Sequence, residues 1–114
     1  MNSLFLEYKE AGKITEALLV GRNMVNKNPG DDECVSAYVD LLLSLAEKLP
    51  SLNERKNFIG QANVTLSFYE ENAELTPEVI DKISSYRSAA SLASLKFENF
   101  LINILSPPHM RMEP

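Results

Sequence analysis

Residues 31–50 read DDECVSAYVDLLLSLAEKLP, and the fold is decided in this stretch. Val35, Tyr38, Leu42, Leu45 and Leu49 recur three and four residues apart. A half-buried strand would alternate every second residue, so the spacing is that of an amphipathic α-helix. Asp31 or Asp32 opens it. A carboxylate there accepts from the free amides of the first turn and complements the positive end of the helix dipole. Pro50 closes it, because proline cannot continue a helix.

The same signals divide the rest of the chain. Upstream, Asn28-Pro29-Gly30 is a turn. It ends a second helix running from about Ile14 to Asn26, whose apolar stripe is Ile14, Ala17, Leu18, Met24 and Val25. Gly21 in that helix allows the close approach of a neighbour. Before it, a first helix covers about Asn2 to Ala11, with Leu4, Phe5 and Tyr8 on one face and Gly12 as its stop. Downstream, Ser51 or Asn53 caps a fourth helix that runs to about Ala73, with Phe58, Ile59, Ala62, Leu66, Tyr69 and Ala73 aligned. Thr76-Pro77-Glu78 opens a fifth, with an N-cap, a first-turn proline and an acid in order. The fifth helix continues without glycine or proline to about Leu105. Its stripe is Val79, Ile83, Tyr86, Ala90, Ala93, Phe97, Phe100 and Ile104. The expectation is an all-α domain of about five helices over residues 1–105 with a long C-terminal helix. Residues 106–114 read as a flexible proline-rich tail or the start of a linker.

Composition narrows the function. The chain has 114 residues, 45% of them hydrophobic and 24% charged, the balance of one globular domain with one core. The formal net charge is -5 and no basic run exists, which argues against a nucleic-acid backbone as partner. No stretch approaches the length of a membrane span, and the N-terminus lacks the basic start and unbroken apolar core of a signal peptide. The single cysteine, Cys34, excludes an intramolecular disulfide and suits a reducing, cytoplasmic setting.

Side chains that carry chemistry are sparse. The one histidine, His109, sits in the proline-rich tail, away from any packed site a catalytic triad would need. Asp31-Asp32-Glu33 lacks the alternating spacing and distal glutamate of a calcium loop, and helix capping accounts for it. Cys34 near a helix start reads as a half-buried structural thiol. The four glycines are isolated, so no phosphate-cradling loop is present. The expectation is therefore no enzyme, with no catalytic, cofactor-binding or metal-ligating residues.

Tyr8, Gly12, Ala17 and Pro29 occur at the spacing of a tetratricopeptide (TPR) repeat, and residues 8–17, YKEAGKITEA, resemble one closely. In that family small residues let two helices approach, and proline ends the hairpin. The likeness covers about the first third of the chain. It departs where Gly21 replaces a large aromatic and Met24 fills a small position. The second hairpin keeps the architecture and ends in Thr76-Pro77, but has no glycine in its longer turn. The resemblance implies antiparallel helical hairpins in a right-handed α-α superhelix, with Gly12 and Ala17 at the close contact of the first two helices. It also implies a protein or peptide partner in a groove lined by the first helix of each hairpin. Carried over, the groove would expose Asn2, Leu6 and Lys9, then Ser36, Asp40 and Leu43, with Ser84 and Ser88 extending it. The same residues are also ordinary solvated helix positions.

A second expectation is an assembly or homodimerisation domain, the N-terminal part of a larger protein. Leu92, Leu95, Leu101, Ile102 and Leu105 make the end of the fifth helix apolar beyond its main stripe. Phe97, Phe100, Leu101 and Ile104 are the residues expected at such an interface, since uncovered apolar surface marks contact sites.

Overall fold

The structure, a computed structural model, describes residues 3–48 and 52–105, with side chains described for 3–48 and 53–95. Among these residues the chain forms five α-helices and no strand: α1 (Ser3–Glu10), α2 (Ile14–Lys27), α3 (Asp32–Lys48), α4 (Leu52–Asn72) and α5 (Pro77–Leu105). The caps read at Asp31 and Thr76 are in place, whereas of the two read for the fourth helix Ser51 lies outside the described residues and Asn53 falls inside α4. Asp31 Oδ1 accepts from the Cys34 amide at 3.1 Å and Thr76 Oγ1 from the Val79 amide at 3.2 Å, each serving the first turn of its helix. Asn28 closes α2 with both its backbone and side-chain nitrogens on the Met24 carbonyl.

Consecutive helices lie against one another, and α3 also meets α5. Side-chain pairs give the directions. Tyr38 bonds Gln61 and Asp32 bonds Tyr69, so α3 and α4 run antiparallel. Asp32 pairs with Lys82 and Asp40 lies beside Tyr86, so α3 and α5 run the same way. Covered by α2, α4 and α5, helix α3 buries more than one stripe: Cys34, Val39, Leu41 and Ala46 join Val35, Tyr38 and Leu42. The core continues through Ala62, Leu66 and Tyr69 of α4 and Ile83 of α5.

Two expectations change. Leu4 does not join the buried face of α1 and is 41% exposed, while Phe5 is fully buried. A helix of eight residues that packs chiefly on α2 can bury only the strip beneath Phe5 and Tyr8. Gly12 is not at a close helix contact, since a Cβ there would meet nothing within 4 Å. Its φ of +76° is the reason for glycine: it turns the chain out of α1 in the left-handed region. The tight approach is at Gly21, where a Cβ would lie 2.7 Å from the Tyr38 ring and 2.9 Å from the Phe5 ring. Ala17 is fully buried nearby in sequence, as a small residue in a helix seam should be.

Candidate functional site

The expected groove residues fall on more than one surface. Ser36 and Asp40 of α3 come together with Lys82 and Tyr86 of α5. Asp32 Oδ1 and Oδ2 accept from Lys82 Nζ at 2.6 and 2.8 Å, Tyr69 Oη donates to Asp32 at 2.8 Å, and Lys82 also donates to Ser36 Oγ at 3.2 Å. One carboxylate at the start of α3 thus ties the end of α4 and the first turns of α5 together. Lys82 holds the Asp32 carboxyl below its ordinary range, with Tyr69 adding to the effect and partial burial opposing it. Burial, then the hydrogen bond to Asp32, pushes the Tyr69 phenol up to about 12. Burial and the Asp40 carboxylate do the same to Tyr86, also to about 12. Asp32 and Lys82 neutralise one another, Asp40 leaves the face one negative charge in excess, and the bonds across it make it a fastening between helices.

Leu43, expected in the groove, is half-buried and packs into the core, while Leu6 and Lys9 are exposed on α1. Asn2 lies outside the described residues. Ser84 and Ser88 do not join Ser36 and Asp40. They stand half a turn of α5 away from Lys82 and Tyr86 and line a cleft of about 650 Å³ beside the end of α4. Leu75, Ile80, Leu92 and Leu95 line the same cleft, each more than half exposed. Arg87 pairs with Glu70 at 3.4 Å at its edge and donates to Ser67. The apolar second face of the fifth helix read from Leu92 and Leu95 is therefore uncovered. Phe97, Phe100, Leu101 and Ile104 lie outside the described side chains, and His109 outside the described residues.

Cys34 is buried, and burial together with the Asp31 charge pushes its thiol up, which suppresses the thiolate. Among the described residues no three His, Cys, Asp or Glu side chains gather as metal ligands, and no helix is long and apolar enough to cross a membrane. Sequence reasoning missed the Asp32–Tyr69–Lys82 fastening. Its members are 37 and 50 residues apart, and Asp32 reads as one cap in an acidic trio until α4 and α5 are placed. Comparison of the chain with protein-family models, curated proteins and solved structures finds no match in any of the three.

Proposed function

We propose that this chain is a non-enzymatic, TPR-like protein-interaction module of the cytoplasm, its hairpins forming the start of a right-handed array. The observation that carries the reading is the uncovered side of α5. Helix α3 is packed on by α2, α4 and α5, whereas among the described residues α5 rests chiefly on α3 and α4 and leaves Ile80, Leu92 and Leu95 exposed. In an array of hairpins the next helix would lie there, so the cleft suits an apolar helix of a protein partner.

The test places a photo-crosslinking amino acid at Leu92 in cells and reconstitutes any cross-linked protein with the purified chain. A stoichiometric complex that Leu92→Asp, Leu95→Asp abolishes supports the reading. A folded chain that cross-links to nothing overturns it. The same surface favours a second reading, an assembly domain in which α5 meets α5 of another copy, extended by Phe97, Phe100, Leu101 and Ile104. Cross-linking to itself, with a solution mass twice 12.8 kDa, would select that reading.

A further inference from the structure

We propose that the trough between α2 and α4 binds an extended peptide carrying an acidic side chain beside apolar ones. The inference rests on the interaction-module reading but uses another surface, which shares no lining residue with the α4–α5 cleft. The trough encloses about 710 Å³, in the range of ligand sites. Its floor is Val25, Val35 and Tyr38, all buried. On α4, Val64 and Phe68 line it while remaining 55% and 53% exposed.

The polar groups of the rim define the ligand. They are Asn26, Asn57, Gln61 and Asn72, which carry no charge, and one cation, Arg22. A carboxamide donates and accepts at once, which matches the N–H and C=O of a peptide bond. A helical ligand has those groups satisfied internally, whereas an extended segment presents them to the walls. Tyr38 Oη donates to Gln61 Oε1 at 3.0 Å, and Gln61 Nε2 donates to Asn57 Oδ1 at 2.9 Å. Gln61 is thereby engaged at both ends and Asn57 at its oxygen, and Asn72 Nδ2 donates to the Phe68 carbonyl at 2.7 Å, so the Asn57 NH2 and the Asn72 oxygen are the groups left to donate and to accept. From Asn57 to Asn72 the trough follows α4 for about 22 Å, room for about six or seven extended residues.

The trough has direction. Gly21 packs against the Tyr38 ring, so Arg22 lies at the Tyr38–Gln61 level. Pro29 and Asn72 mark the opposite end, where Gly30 abuts the Asn72 carbonyl. The chain is acidic overall, yet no Asp or Glu lines the trough, and among the described residues no carboxylate pairs with Arg22. A carboxylate of the ligand therefore belongs at the Arg22 end, with aliphatic or aromatic side chains between Val25, Val64 and Phe68.

Gly60 supplies the test. It lines the trough, and a Cβ there meets nothing within 4 Å, so a larger side chain fills the trough without moving the core. A displayed heptapeptide library is selected on the full chain. Enriched peptides are synthesised with amidated and with free C-termini, and binding is read by fluorescence anisotropy. The expected result is an Asp or Glu at fixed spacing from an apolar residue, in peptides that bind when amidated. Gly60→Leu and Arg22→Glu should each weaken binding at least about tenfold, Gly60→Ala should bind as the wild type does, and all should keep the wild-type circular dichroism. No enrichment, binding that needs the free C-terminus, or full affinity for Gly60→Leu would overturn the proposal. Leu92→Asp, Leu95→Asp leaves this binding intact, so failure at the α5 face and failure here are read separately.

Discussion

At Gly21 a Cβ would lie inside contact distance of two core rings, at Gly60 it would meet open space, and at Gly12 the backbone itself sits at φ +76°. One substitution therefore has three outcomes. Gly21→Ala should destabilise by about 1–3 kcal/mol, because Phe5 and Tyr38 must shift in a packed core. Gly60→Ala should stabilise by about 0.5–1 kcal/mol, since alanine loses less backbone entropy inside a helix. Gly12→Ala should cost about 1–2 kcal/mol for holding an L-residue in the left-handed region. Urea unfolding midpoints order the three variants. The thiol of Cys34 gives a second prediction at this scale. Its raised pKa keeps it protonated to higher pH than an exposed thiol, so Ellman's reagent should react slowly with the folded chain at pH 8 and promptly once urea opens it. Fast labelling of the folded chain would contradict the burial.

For the helices as elements, the starts of α3 and α5 depend on one side chain each. Asp31→Ala and Thr76→Ala each remove an acceptor from a first-turn amide and should cost about 1 kcal/mol, measured as a lower melting temperature. Asp31→Ala carries a second readout, because the Asp31 charge helps hold the Cys34 thiol protonated: labelling of Cys34 should quicken in that variant and not in Thr76→Ala. These caps were legible because a cap acts within three residues, inside the window where sequence and structure are nearly the same thing. Leu4 was not legible. Its spacing to Tyr8 fits a buried face, but the short α1 packs chiefly on α2 and buries the strip beneath Phe5 and Tyr8, which leaves Leu4 41% exposed.

Across the whole molecule, Asp32 fastens α3, α4 and α5, and the fastening should respond to pH at both ends. The Tyr69 and Tyr86 phenols ordinarily ionise near 10 and are raised to about 12 in the fold. Their contribution is complete below pH 10 and is lost as pH rises through 12, so the urea midpoint should fall across that window. Tyr69→Phe should cost about 0.5–1.5 kcal/mol at neutral pH through the lost bond to Asp32, and it should lessen the alkaline loss. Asp32 has the opposite sign: its lowered pKa gives a contribution present above its ordinary 3.8 and lost as pH falls through the folded value. With Lys82 and Asp32 both partly exposed, that acidic effect should be small and weakened by salt.

Periodicity, caps and breakers determined that the described residues are helical, where α2 to α5 begin and end to within a residue or two, and which stripes of α4, and of α5 as far as Ala93, turn inward. All of these act over one or two turns of backbone. What lies between helices was decided only by the tertiary structure. It took Gly12 out of the close approach, set the Phe5 and Tyr38 rings against Gly21, and made Asp32 a tie among three helices. It also split the expected groove, sending Ser36 and Asp40 to the α3–α5 face and Ser84 and Ser88 to the apolar cleft. The trough beneath Arg22 had no sequence signal, because its walls come from α2 and α4 and its floor partly from α3. A helix shows through its own spacing which face is apolar; which other helix covers that face, and where none does, depends on contacts between residues tens of positions apart.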